Sequence, residues 1–386
     1  MFIKLTKQFR EFYQSEKSGG MVLIACTIVS LILANSPLQA DYLNLWHVKI
    51  GNMSLEHWIN DGLMAIFFLL IGLELEREIY VGELSSLRSA LLPMAGALGG
   101  MCVPAGIYAL FNCGLPTSAG TGIPTATDIA FALGILSLLG KKVPPSLKIF
   151  LAALAVVDDL GAIVIISLFY TKGLVFHHLL ISLGIFAILL VMNRIKVKNL
   201  IPYIIGGIMM WYFMLQSGVH ATITGVLLAF AIPFWGRKES QSPSLILQHY
   251  LHYPVAFFVL PVFALANTAI IMDGNLYETV SQPFSIGIWA GLILGKPIGI
   301  FSFCFIALSM GICRLPIRLN WKHILAVGCL GGIGFTMSIF ITLLAFDDQM
   351  IINNSKLTIL MASCISAIIG FFMLKLTLRD MPERAA

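Results

Sequence analysis

The chain has 386 residues, of which 58% are hydrophobic and only 11% charged, whereas a soluble domain averages about 25% charged. That balance excludes an ordinary soluble enzyme and places residues 1–386 in a membrane as one polytopic, all-α domain rather than two or three soluble ones. The net charge of +5 does not indicate nucleic acid, because in a membrane protein what matters is which loops carry the Lys and Arg.

In chain order, a basic segment over 1–18 leads into the first apolar stretch. It has the look of a signal peptide, but with so many spans following it is read as the start of an uncleaved first helix. Twelve segments are apolar over roughly the 20 residues that a spanning helix needs. Their limits are 19–35, 57–73, 90–111, 121–139, 148–170, 175–193, 200–216, 218–235, 254–271, 284–308, 323–346 and 357–377. Charge tests the count independently. With both termini cytoplasmic, all of the 24 Lys and Arg except Lys49, Lys172, Lys356 and Lys296 fall on the inner side, as the positive-inside rule requires. The outer segment 36–56 contains HVKIGNMSLEHW, whose weak alternation and Gly-Asn pair predict a short β-hairpin. A short tail, 378–386, returns to the inner side. The seven cysteines form no CxxC or Cys/His cluster, so no metal or other cofactor is expected.

Two of the twelve helices read as broken. The fourth opens with GTGIPTATDIAF (120–131), and the eleventh contains GCLGGIGFT (328–336). Backbone leaves the helical ladder at membrane depth only where it is buried in protein or lines a cavity. Two interruptions in corresponding places, in the middle of helices 3–5 and of helices 10–12, point to a transporter site.

Few charges lie well inside the spans. They are Asp128 in helix 4, Asp158 and Asp159 in AVVDDLGAIVII of helix 5, and Lys296 in helix 10. An ionisable group at the bilayer centre costs at least ~2.5–3.5 kcal/mol, so each must face a partner or a watery cavity. Adjacent residues on a helix project about 100° apart. Asp158 and Asp159 therefore cannot both face Lys296, and the sequence leaves open which one does. Carboxylate oxygens suit a small hard cation such as Na⁺ or Li⁺ and bind protons as well, so the two compete for one site. Asp128 and Lys296 also suit the partial charges of half-helix ends.

The stretches WINDGLMAIFFLLIGLELERE (58–78), PTATDIAFALGILSLLG (124–140), LKIFLAALAVVDDLGAIVIISLFYT (147–171), SGVHATITGV (217–226), LGKPIGI (294–300) and GIGFTMSIFI (332–341) together resemble the NhaA sodium/proton antiporters of bacterial inner membranes, over nearly the whole chain. The resemblance implies inverted repeats, with the broken helices 4 and 11 crossing near the midplane. It implies an ion and proton site at Asp159 and Asp158, with Asp159 the principal ligand of Na⁺ or Li⁺. Thr127 and Asp128 would sit at the break of helix 4, and Lys296 opposite, either compensating charge or paired to Asp158. Glu74, Arg77 and Glu78 match a cytoplasmic cluster linked to pH activation, together with His249 and His252 at the start of helix 9. His220 matches a histidine of the pH response, and Asp61 an outer position on helix 2. Gln248 departs from the family, which commonly has an acid there, and this bears on the pH threshold rather than on the ion site. A homodimer joined through the outer hairpin is implied too.

Read without the resemblance, Glu74 to Glu78 is a solvated helix end and His220 a core histidine, while His249 and His252 are neutral-range titrators one turn apart. An intramembrane aspartyl protease would need its aspartates on different helices, and it has no use for a buried lysine. A proton-coupled carrier of another solute would show extra polar contacts along its cavity. Exchange of cytoplasmic Na⁺ or Li⁺ for external protons, electrogenic and pH-regulated, accounts for the buried charges best.

Overall fold

The computed structural model describes residues 16–378 except 172, 236–241, 273–275 and 317–318. The expected inner segments 1–18 and 378–386 therefore lie almost wholly outside the described residues, as does Lys172.

Each of the twelve apolar segments contains helix. Among the described residues seven helices are long and apolar enough to cross a membrane, and three bent pairs raise the number to ten. The other two of the twelve are Ile201–Gln216 and Ile223–Ala231, which are shorter. The second is short because SGVHAT before it runs as turns, with Gly218 at φ +82°. One bent pair is Ser18–Ala34 with Gln39–His47, at 115°. The latter helix, QADYLNLWH, occupies the first half of the segment expected as hairpin. The hairpin itself is confined to Lys49–Ile50 and Met53–Ser54, with Lys49 opposite Ser54 and Ile50 opposite Met53. Gly51, at φ +68°, makes the tight turn, a conformation that glycine adopts without penalty.

Two expectations shift at helix starts. The ninth span begins at Pro243, not near 254, so His249 and His252 lie well inside its first turns. The twelfth begins at Gln349, and Lys356, expected in an outer loop, sits two turns into it with 7% exposure. Lys296 is therefore not the only buried cation.

By its contacts the chain divides into two compact units. One comprises the chain up to Val29, Leu91–Asp158 and Met272 onward; the other comprises Ser30–Ala90 and Asp159–Ile271. Of the segments expected as repeats, the first holds helices 3, 4 and 10–12 but only the first half of helix 5, which passes to the other unit at Asp159. Helices of the first unit approach through glycine, the device that lets membrane helices pack without a hydrophobic driving force. A Cβ on Gly99 of Leu87–Asn112 would overlap the Gly299 carbonyl of Pro283–Ser309, and one on Gly299 would overlap the Gly99 carbonyl. A Cβ on Gly370 would press on Leu330 at 2.7 Å.

In the second unit, Leu55–Tyr80 packs along Ile223–Ala231, where a Cβ on Gly225 would strike the Ala65 carbonyl. Leu73, Tyr203, Met210, Leu228 and Ile232 form the core around this seam. Asn60 and Asn267 exchange side-chain amide hydrogen bonds across the unit.

Gly99→Ala is expected to destabilise the folded protein by about 1–3 kcal/mol through overpacking against backbone. Gly106→Ala, on the same helix with nothing within 4 Å of an added Cβ, should be neutral or slightly stabilising. Thermal unfolding of the purified protein in detergent compares them; equal melting temperatures would mean that the Gly99–Gly299 contact carries no strain when filled.

Candidate functional site

The site lies in the first unit, where the two broken helices meet. The fourth span is a 3₁₀ stretch, Pro116–Thr125, followed after an extended break by the helix Ile129–Leu138. Pro124 has no N–H, and Thr125 closes its hydroxyl back on the Gly122 carbonyl, so the ladder stops there. The eleventh span breaks between Trp321–Gly331 and Phe335–Ala345, at Gly332–Gly334. The bends are 41° and 46°.

Each break satisfies the other's polar groups. The Asp128 N–H donates to the Ile333 carbonyl at 2.7 Å, and Ser338 Oγ donates to the Ile123 carbonyl at 2.7 Å. Asp128 Oδ1 accepts from the Phe131 N–H at 2.9 Å, capping its own helix. Its other oxygen, Oδ2, accepts from the Thr336 N–H at 3.1 Å and from Thr336 Oγ1 at 2.6 Å, capping the helix Phe335–Ala345. One carboxylate thus neutralises the partial positive ends of two helices. Thr336 was not singled out from sequence, although its place in GIGFTMS, a hydroxyl just past a Gly-rich break, is the signal that marks it.

Lys296 and Asp158 are fully buried, and Nζ lies 2.6 Å from Oδ2. The lysine's partner is therefore Asp158, the choice that adjacent positions on one helix left open. Lys296 directly follows a π turn, Gly291–Gly295, a distortion common at functional sites. A Cβ on Gly100 would crowd Ile300 Cγ1 at 3.0 Å while making only ordinary contact, 3.6 Å, with Lys296 Cδ. Thr127 Oγ1 sits 2.9 Å from Lys296 Nζ, 2.7 Å from Asp158 Oδ2 and 2.9 Å from the Gly331 carbonyl. The lysine is thus in a salt bridge and also, through Thr127, beside the partial negative end of Trp321–Gly331. Asp158 Oδ1 is buried and accepts no hydrogen bond. Asp159, the next residue on Pro145–Phe169, is 1% exposed. Among the described residues no group of three or more His, Cys, Asp and Glu side chains could hold a metal ion.

Asp159 falls in the second unit of the chain's division, as do the remaining candidates. Asp61 lies in a π turn, Trp58–Leu63, with its carboxylate 3.0 Å from His57 Nε2, and its carbonyl accepts from Trp211 Nε1 at 3.0 Å. Glu74, Arg77 and Glu78 occupy the last turns of Leu55–Tyr80, where Arg77 and Glu78 pair at 3.1 Å. His249 and His252 are exposed, and Gln248 is buried. His220 Nε2 donates to the Tyr170 carbonyl at 2.8 Å. A residue hidden in the charged stretch is Glu76, only 4% exposed, which accepts from Ser244 Oγ at 2.5 Å. That stretch is therefore not wholly a solvated face, and period-3.6 spacing from Leu73 would have flagged Glu76.

Removing one partner of a buried pair strands the other charge, at a cost of about 3–5 kcal/mol. Lys296→Met and Asp158→Asn should each lower the melting temperature of the purified protein, and the double variant should recover most of the loss. Simple addition of the two single effects would show that the pair is uncoupled.

A family model described as Na+/H+ antiporter 1 matches residues 10–374. The chain is 65% identical to a "Na(+)/H(+) antiporter NhaA" of Flavobacterium psychrophilum, covering 98% of each chain. It is 56% identical to one of Dechloromonas aromatica over 96% of each, and 47% identical to one of Vibrio parahaemolyticus over 97% of this chain and 98% of that one. Among solved structures, the sodium proton antiporter MjNhaP1 of Methanocaldococcus jannaschii shares the fold, with TM-score 0.55 and 14% identity over 95% of this chain and 93% of that one. A pair of breaks that cap one another around a buried lysine and aspartate, together with similarity along almost its entire length, settles the matter: the chain belongs to the Na+/H+ antiporter 1 family.

Proposed function

We propose that this protein exchanges cytoplasmic Na⁺ or Li⁺ for external protons across the bacterial inner membrane, with both termini on the cytoplasmic side. The observation that carries the reading is the wholly buried Lys296–Asp158 pair, next to a second buried carboxylate on the same helix. Two carboxylates offer hard oxygen ligands to a small cation. Asp158 Oδ1, which accepts no hydrogen bond, supports its part in this.

The cycle follows from competition. With the cation absent, protons on Asp159 and on Lys296 leave the site electrically balanced, and Lys296 holds Asp158. An arriving cation takes Asp159 first, displaces its proton, and draws on Asp158. Lys296 then loses its counter-ion, so its own proton is released more readily. Two protons out for one cation in is electrogenic, and each net charge moved is worth about 2.3 kcal/mol per 100 mV. Because the same carboxylates hold either cation or proton, the site is loaded with one at a time, which is what obliges exchange when it is exposed to alternate sides.

Glu74, Arg77, Glu78, His220, Gln248, His249 and His252 are assigned to the pH response, and Asp61 to the outer approach. A second copy of the chain pairs at the hairpin, where Lys49 and Ile50 are exposed.

The test is sodium-driven proton movement in proteoliposomes between pH 6 and 9, for the wild-type protein and for Asp159→Asn. The wild type is expected to dissipate an imposed proton gradient on addition of Na⁺, and the variant to lose at least about tenfold in rate, the size of removing one charged ligand. Clamping the potential with valinomycin and potassium should raise the wild-type rate if exchange moves net charge. Normal exchange by Asp159→Asn would remove the pair from the mechanism.

A further inference from the structure

The Thr127 hydroxyl has three neighbours within hydrogen-bond distance and one proton. Lys296 Nζ, at 2.9 Å, has only protons to give, so Thr127 accepts from it. The other two, Asp158 Oδ2 at 2.7 Å and the Gly331 carbonyl at 2.9 Å, are both acceptors while Asp158 is ionised. The hydroxyl can serve only one of them at a time. Gly331 is the last residue of Trp321–Gly331, where carbonyls have no following turn to accept from. Phe335, four residues on, gives its N–H to Ser363 Oγ instead. The carbonyl left over at any moment is a buried acceptor whose donor has turned away, which is costly.

We propose that Thr127 is a positioning residue that acts as a rotary donor: its proton points to Asp158 while the Lys296–Asp158 pair is intact and turns to the Gly331 carbonyl when that pair opens. This rests on the exchange reading above and deepens it, because it names the group that transmits the state of the pair to the crossing of the two broken helices. With the pair closed, Asp158 Oδ2 holds two donors and the helix end holds none from Thr127. When a cation satisfies Asp158, the hydroxyl is released and the end of Trp321–Gly331 gains a bond. No proton leaves Thr127 in this step; the O–H only rotates about the Cβ–Oγ1 bond. Serine keeps the donor, whereas valine keeps the shape and removes it.

The experiment compares wild type, Thr127→Ser and Thr127→Val as full-length protein in proteoliposomes, measuring sodium half-saturation and the pH profile of exchange. Thr127→Val is expected to lower half-saturation, read above the rising limb, several-fold, because the bond lost to ionised Asp158 in the free state outweighs the one lost to the Gly331 carbonyl in the bound state. It should also move the rising limb of the profile up by about one pH unit, the equivalent of one hydrogen bond to a charged group. Its maximal rate at saturating Na⁺ should stay within about twofold, and Thr127→Ser should match wild type in all three. A Val variant superimposable on wild type overturns the proposal, as does a Ser variant shifted as far as Val. A fall in maximal rate with half-saturation and profile unmoved overturns it too, since that is a packing defect. If Val does not give a monodisperse protein, Thr127→Ala is judged by the same criteria; failure of both to fold, with Ser folded, makes the hydroxyl a requirement of the fold and overturns the switch. An inactive wild type sinks the exchange reading itself, whereas an active wild type with an unchanged Val variant sinks this inference alone.

Discussion

Away from water, every backbone N–H and C=O needs a partner within the protein, and the crossing at Ala126–Asp128 and Gly332–Gly334 is organised by that constraint. A single interrupted helix would strand several donors and acceptors. Two interruptions laid against each other share them: Asp128 N–H to Ile333 and Ser338 to Ile123. The Asp128 carboxylate then takes the exposed N–H ends on both sides. Each break is tolerable because the other exists.

The charges follow from the same constraint. Asp128 is spent on helix ends and Asp158 on Lys296, so both are held by several fixed contacts. Burial of a pair contributes little to stability in itself. Asp158 and Asp159 are neighbours in sequence with different duties, one constrained by Lys296 and Thr127, the other on a separate face of the helix.

Hydropathy made the twelve segments legible, together with both breaks and the hairpin turn, because each rests on local rules: span length, Gly and Pro placement, and the demand of Gly51 for positive φ. Motifs shared with the antiporters named the candidate residues, of which Thr127, Asp158 and Lys296 are in mutual contact. Legibility failed where packing decides. Gln39–His47 is too polar for its helix to show as apolar periodicity. Lys356 and Glu76 looked like loop or surface charges because each stands near a span end, yet neighbouring helices cover them. The choice of Asp158 over Asp159 depends on the rotation of the fifth span about its axis, which its packing against other helices decides. No pattern within one helix carries such information.

The π turn at Gly291–Gly295 has a further consequence. A turn closed by i→i+5 bonds holds one residue more than an α-turn, so everything beyond it is advanced by one residue's worth of helical phase, about 100°. Lys296 is the first residue past that offset. Were GLILG wound as plain α-helix with all five residues kept, the span would keep its hydropathy and its cation, yet would carry the ammonium round the helix away from Asp158, whereas loss of one residue would let an α-turn hold the same phase. Angular bookkeeping, rather than how apolar the segment is, decides whether this membrane helix delivers its charge to the site or to lipid.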